Sequence, residues 1–284
     1  MPIEAPLAKS PSPYSRQTLD RDAIAEIFAE IAVEAAVAVM EVYASDSHAR
    51  RKPDKSPVCD ADENAEAIIL ERLAAVLPDL PVLAEEAAAH GKKTVSGSTF
   101  ILVDPVDGTR EFLSHNGEFT INIGLIVEGE PLAGVVYAPA LGRLWLGGAK
   151  ATCCVVAPGA PLPPLCERRE IHVRPAPRQG LTAVASRSHS DAETEAFLAD
   201  LPIRERRAAG SSLKFCAVAE GEADIYPRFG QTMEWDTAAG DAVLRAAGGI
   251  VLDRERRPLR YGKAGAQFRN GPFVAWGDPP ASGY

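Results

Sequence analysis

The sequence predicts an α/β fold in two linked halves, and three observations carry that prediction. Near the N-terminus, apolar residues recur at helical spacing: Ile24, Ile27, Phe28, Ile31, Ala35, Val39 and Val42. Short apolar runs then follow from Val82 to Leu146, and Gly-Glu and Gly-Arg turns between the later ones suggest antiparallel pairing. The stretch Ala157–Cys166 holds four prolines and one glycine, the composition of a surface connection. At 284 residues the chain exceeds the usual single-domain length and can bury a sizeable core without crosslinks.

Residues 1–17, rich in Pro and Ala through Ser15, have no apolar core of a signal peptide and read as a disordered lead-in. The N-terminal half, 18–156, opens with one long amphipathic helix from Asp20 past Val42, and Arg50–Lys55 is a polar loop. Asp60 and Glu63 have capping-box spacing and open a second helix through Ala65, Ile68, Ile69, Leu73 and Val76, stopped at Pro78. Strands are expected at Val82–Ala84, Thr99–Val103, Phe119–Val127, Ala133–Tyr137 and Leu144–Leu146, with a short helix at Arg110–Leu113. In the C-terminal half, 157–284, strands are expected at Glu170–Val173, Thr182–Ala185, Ala223–Tyr226, Ile250–Asp253 and Phe273–Trp276. Ser190 and Glu193 box the start of one helix. Ser211 or Ser212 caps a second, and Asp236 leads a third, made of small residues and ended by Gly248-Gly249.

Composition narrows the function classes. Five cysteines, odd in number, irregularly spaced and without a Cys-x-x-Cys, argue for reduced thiols in the cytoplasm and against a zinc site. No apolar run reaches about 18 residues, so no membrane-spanning helix is expected, and any membrane contact would be peripheral, at the inner face. A formal charge of −9 disfavours nucleic-acid polymers, yet a local cluster of cations can still receive a small anion.

The chemistry concentrates at Asp104-Pro105-Val106-Asp107-Gly108-Thr109, where two carboxylates follow a strand. Further acids fall at other element ends: Asp60 and Asp62 before a helix, Glu85-Glu86 after a strand, and Asp236 before a helix. Mg²⁺ takes oxygen ligands in near-octahedral geometry and keeps several waters, so carboxylates spaced like Asp104 and Asp107, with a carbonyl between them, suit a bridged metal pair. Each acid also has a plain structural reading. Asp60 and Asp236 can be N-caps, Asp62 a first-turn charge, Glu85-Glu86 a solvated pair, and Asp107-Gly108 a turn. Four independent caps are a poorer account of the set than one convergent site.

The hexapeptide, followed by Glu111-Phe112, resembles the D-P-[IVL]-D-G-T-x-x-F signature of the inositol monophosphatase superfamily of Mg²⁺-dependent, lithium-sensitive phosphatases. Trp235-Asp236-Thr237-Ala238-Ala239-Gly240 resembles its second signature, W-D-x-A-A-G. Leu83-Ala84-Glu85-Glu86 matches its acidic pair, and Ser56-Pro57-Val58 with Ala61-Asp62 its upstream motif. Asn116–Asn122, Ser186–His189 and Gly210–Cys216 are similar to the CysQ-type 3′(2′),5′-bisphosphate nucleotidases within it. The likeness spans Leu19 to Gly277. Three departures stand out: Cys59 where the family usually has Thr, Ala84 for a frequent Ser, and Gln231 where CysQ-type chains tend to have Pro.

The resemblance implies a layered αβαβα sandwich of two pseudo-domains with the active site between them. It implies Glu85, Asp104, Asp107 and Asp236 as metal carboxylates, with the Val106 carbonyl, for two or three Mg²⁺ ions. It pairs Asp62 with Thr109 to orient and deprotonate the attacking water, and gives Gly108 and Thr109 backbone N–H groups to the phosphate. His189, Ser211, Lys214 and Arg228 would contact a nucleotide. On residue type alone these four read as a loop or cap residue, an N-cap, a solvated helix residue and a surface charge. The implied reaction removes the 3′-phosphate of adenosine 3′,5′-bisphosphate to give AMP, clearing a by-product of sulfate assimilation, in a monomer or homodimer. Inositol phosphate or fructose 1,6-bisphosphate as substrate, and a non-catalytic nucleotide or metal sensor, remain as rivals.

Overall fold

A computed structural model describes residues 19–45, 50–51, 57–58, 60–91, 95, 97–186 and 191–279. In chain order the first half runs α1 (Arg21–Ala44), β1 (Arg50–Arg51), β2 (Pro57–Val58), α2 (Asp60–Val76), β3 (Val82–Ala84), α3 (Glu85–Ala89), β4 (Thr99–Asp107), α4 (Thr109–Leu113), β5 (Thr120–Val127), β6 (Glu130–Ala138), β7 (Arg143–Gly147) and β8 (Ala151–Val155). The second half runs β9 (Arg169–Glu170), β10 (Leu181–Ser186), α5 (Ala192–Ala199), β11 (Ile203–Ala209), α6 (Leu213–Ala219), β12 (Ile225–Arg228), β13 (Thr232–Met233), α7 (Trp235–Ala246), β14 (Ile250–Asp253), β15 (Arg269–Asn270) and β16 (Phe273–Trp276).

Two large sheets organise these elements. Strands β3 to β9 lie side by side in sequence order, antiparallel except for the parallel β3–β4 pair. The second sheet has the order β11-β10-β12-β16-β14, with β10 parallel to both its neighbours. Alternation along each strand sorts the core into layers. Ile101, Val103, Ile121 and Ile123 pack against Phe28, Ile31 and Val39 of α1 and Ile69 and Leu73 of α2. Phe100, Leu102, Val136 and Trp145 face the other way, onto Phe215 of α6 and Ala238 and Val243 of α7. Those helices meet Val184, Tyr226, Val251 and Phe273 of the second sheet, whose far face buries Ala183, Ile225 and Val274 against Leu198 of α5. The result is the expected αβαβα sandwich.

The middle layer depends on missing side chains. Gly124, Gly134 and Gly147 sit in register on β5, β6 and β7, making a track across the first sheet. A Cβ on them would lie 3.0 Å from the Ala239 nitrogen, 2.9 Å from the Ala242 Cβ and 2.6 Å from the Val243 Cα respectively. Helix α7 therefore rests almost directly on sheet backbone, which explains why its sequence is Thr-Ala-Ala-Gly-Asp-Ala.

Several local expectations need correction. Strand β4 does not stop at Val103 but runs to Asp107, its register with β5 shifting between Asp104 and Asp107. Strand β8 was not expected, because Ala-Thr-Cys-Cys-Val gives little periodic signal. Nor was β11, whose edge position leaves Arg204 to Ala208 exposed and charged. Of Glu170–Val173 only the start is paired, as β9. The N-cap of α5 is Asp191, whose Oδ1 accepts from the Thr194 N–H at 2.8 Å; Ser190 lies outside the described residues. Ser212 occupies the cap position of α6 but makes no capping bond, and Asp236 lies inside the first turn of α7, not before it.

Candidate active site

The Asp104–Thr109 segment forms the end of β4 and the start of α4. Asp104 sits opposite Asn122 and Asp107 opposite Thr120, so Pro105 and Val106 fill an irregularity in the ladder where the missing proline N–H breaks no bond. Gly108 then adopts φ 91° and leads into α4, whose first residue is Thr109. Phe112 anchors that short helix, its ring 5.1 Å from Tyr43 and 4.9 Å from Phe119, centroid to centroid.

Four elements bring five carboxylates into one electrostatic group. Burial pushes Asp104 well above the ordinary carboxylate range, and the charges of Glu85, Asp107, Asp236 and Asp62 push it further. Burial raises Asp107 to about 6, while Lys214 and hydrogen bonds from Asn122 and Ser212 hold it down. Burial likewise raises Asp236, as do Asp107 and Glu85, against a 2.8 Å bond from the Met233 N–H and the charge of Arg228. Asp62 comes from the first turn of α2, Glu85 from the start of α3 and Asp236 from α7. Among the described residues, no three such side chains surround a single point.

The donor set fits a hard divalent cation. All the charged groups are carboxylates, they repel one another, and Asp104 Oδ1 is buried with no hydrogen-bond partner among the described residues. Val106 lies between Asp104 and Asp107, with its side chain in the core under α1 and α2.

The cationic side of the site comes from the second half. Arg228 ends β12, half-buried, and its charge reaches both Asp236 and Lys214. Lys214 is not the solvated helix residue its type suggests. It is 4% exposed, donates to the carbonyls of Ser211 at 2.5 Å and Ala209 at 3.3 Å, and lies 5.3 Å from the Tyr226 ring centre. Burial lowers its ammonium to about 8, with Asp107 opposing. Ser211 adopts φ 37° and donates to the Glu118 carbonyl. His189 lies outside the described residues, as does Cys59.

One supporting residue escaped sequence reasoning. Glu66 is 5% exposed and grips the start of α3, accepting from the N–H groups of Glu86 at 2.7 Å and Ala87 at 2.8 Å. It supplies from 20 positions away the cap that Ala84 cannot, and so seats Glu85. The available signal was its position one helical turn after Asp62, on the same face of α2.

Comparison with known proteins agrees with this architecture. Residues 20–273 match the inositol monophosphatase family. The 3′(2′),5′-bisphosphate nucleotidase CysQ of Escherichia coli O157:H7 is 43% identical over 242 residues, covering 82% of this chain and 91% of that protein. Its namesake in Buchnera aphidicola subsp. Acyrthosiphon pisum is 37% identical over 260 residues, covering 87% and 91%. The crystal structure of CysQ from Bacteroides thetaiotaomicron superposes with a TM-score of 0.75 at 35% identity, covering 91% of this chain and 98% of that one. Both sequence signatures and a match across nearly the whole length converge on one statement: the chain belongs to the inositol monophosphatase family, whose enzymes are metal-dependent.

Proposed function

We propose that this protein is a Mg²⁺-dependent 3′(2′),5′-bisphosphate nucleotidase that removes the 3′-phosphate of adenosine 3′,5′-bisphosphate, giving AMP and phosphate. The observation that carries the reading is the mutual repulsion of Asp62, Glu85, Asp104, Asp107 and Asp236, with Lys214 and Arg228 beside them. The CysQ relatives, at 43% and 44% identity, support the substrate class.

Glu85, Asp104, Asp107, Asp236 and the Val106 carbonyl would hold two or three Mg²⁺ ions. When bound, the metal supplies Lewis-acid polarisation and a lowered water pKa. Asp62 and Thr109 orient the attacking water and take its proton as its oxygen bonds to phosphorus. The P–O3′ bond breaks on the opposite side, and the 3′-oxygen leaves to be protonated as the nucleoside hydroxyl. Backbone N–H groups of Gly108 and Thr109 receive the phosphoryl oxygens. Arg228, Ser211, Lys214 and His189 orient the nucleotide and its second phosphate. No helix among the described residues is long and apolar enough to cross a membrane. A cytoplasmic monomer or homodimer fits this reading.

The test is phosphate release with Mg²⁺ from adenosine 3′,5′-bisphosphate, its sulfated form, inositol 1-phosphate and fructose 1,6-bisphosphate. A kcat/KM at least tenfold higher for a nucleotide bisphosphate is expected. Preference for a sugar or inositol phosphate would overturn the substrate assignment, and no Mg²⁺-dependent release from any compound would favour a sensor.

A further inference from the structure

Strand β5 and the residues before it carry a polar stripe. Glu118, Thr120 and Asn122 alternate along the chain, so their side chains share one face. That face is turned to the middle helices, since Gly124, next in the series, packs on Ala238 and Ala239. Each member holds a successive part of the 209–212 loop. Glu118 Oε2 accepts from the Gly210 N–H at 2.8 Å, and its carbonyl accepts from Ser211 Oγ at 3.1 Å. Thr120 Oγ1 lies 3.1 Å from Ser211 Oγ. The Asn122 amide donates to Ser212 Oγ at 3.1 Å and to Asp107 Oδ2 at 3.3 Å. Ser212 Oγ donates onward to the Asp236 carbonyl at 3.1 Å.

The loop needs such holding. Ser211 is an L-residue at φ 37°, a conformation that persists only where its surroundings over-determine it. Gly210 packs so closely that a Cβ there would come 2.5 Å from the Glu118 carbonyl. Thr120 and Asn122 are fully buried, so their hydroxyl and amide cannot turn to water instead.

We propose that Glu118, Thr120 and Asn122 are positioning residues, which register Ser211 and Ser212 against Asp107 and Asp236. They fix the spacing between the carboxylate cluster and the substrate-orienting loop of the second half, and through it the preference for a substrate that spans both. The role of Ser211 rests on the nucleotidase reading above. A substrate long enough to engage both parts feels the spacing. A small phosphomonoester that needs only the carboxylates does not.

The test uses the full chain carrying Thr120→Val, a near-isosteric change that puts a methyl in place of the hydroxyl. With adenosine 3′,5′-bisphosphate at saturating Mg²⁺, KM should rise about five- to tenfold with kcat within twofold of wild type. With 4-nitrophenyl phosphate, neither constant should move, and the Mg²⁺-induced shift in melting temperature without substrate should stay the same. Combining Thr120→Val with Ser211→Ala should be no worse than Ser211→Ala alone. An unchanged KM for the bisphosphate, or equal losses on both substrates with a smaller metal shift, overturns the proposal. Hydrogen exchange separates this failure from failure of the nucleotidase reading. Amides of the 209–212 loop should exchange about tenfold faster in Thr120→Val while those of 104–109 do not, whatever substrate the wild type prefers. Unaltered loop exchange overturns the proposal as well.

Discussion

Helix α7 carries two aspartates, Asp236 and Asp241, whose neighbours treat them in opposite ways. Asp241 is 0% exposed, yet it accepts from Arg245 Nε at 2.7 Å and from the Tyr261 hydroxyl at 3.0 Å. Burial raises its carboxyl and Arg245 pulls it back. Asp236 is only partly buried, and the charges that act on it most strongly are Asp107 and Glu85, which push its carboxyl up in the same direction as burial does. The protein satisfies Asp241 from its own side chains and leaves Asp236 in a field of like charge. A carboxylate whose neighbours worsen its position is relieved by taking up a proton or by binding a cation. That separates the structural acid from the candidate functional one.

The comparison can be broken most directly at Asp107, which shares the field of Asp236. Asp107→Asn should lower Mg²⁺-dependent turnover by at least about a hundredfold, since several kcal/mol of charge stabilisation depend on the bound metal. Its metal-free melting temperature should match or exceed wild type, because burial disfavours the Asp107 charge more than Lys214 and its hydrogen bonds favour it. Turnover within tenfold of wild type would end the metal-site reading.

Asp241→Ala should show the reverse. Losing one partner of a buried pair costs about 3 kcal/mol, read as a lower urea midpoint, while kcat per folded molecule stays within twofold. A variant of full stability and poor turnover would mean the two aspartates had been assigned the wrong way round.

The smallest effect sharpens the electrostatics. Asp107 is raised to about 6, and Asp104 and Asp236 are also raised, so in the folded state these carboxyls hold protons that the unfolded chain has already released. With chelator present, stability should therefore rise as the pH falls from about 8 toward and through 6, and be lost on the way back up. Lys214, lowered to about 8, works in the opposite sense at more alkaline pH, where stability should recover. Saturating Mg²⁺ should flatten the acid-side slope. Parallel melting curves with and without Mg²⁺ across that range would show that the carboxylates do not share one field.

How much of this was legible in advance follows from where each cue resides. Strands β3, β14 and β16 lie where apolar runs and their punctuation put them, because those cues are local. Strand β11 was invisible because an exposed edge made of Arg and Glu carries no apolar alternation. The candidate carboxylates could be picked out because acids stood at element ends and matched signatures. Their mutual field could not, because it depends on segments that meet only after folding. Ser212 and Asp236 looked like caps because cap and site residues share one short polar chemistry. Thr120 falls inside an expected strand, but its partner Ser211 lies 91 positions away, so no local cue joins them.

The glycine track under α7 gives the site an unusual vulnerability. Asp236 rides on a helix whose height is set by three absent side chains on three neighbouring strands. A single added methyl there touches no ion, substrate or charged group, yet it would act as a shim under the whole helix. Changes that silence this enzyme should therefore be sought in the plain apolar middle of its first sheet as well as among its acids.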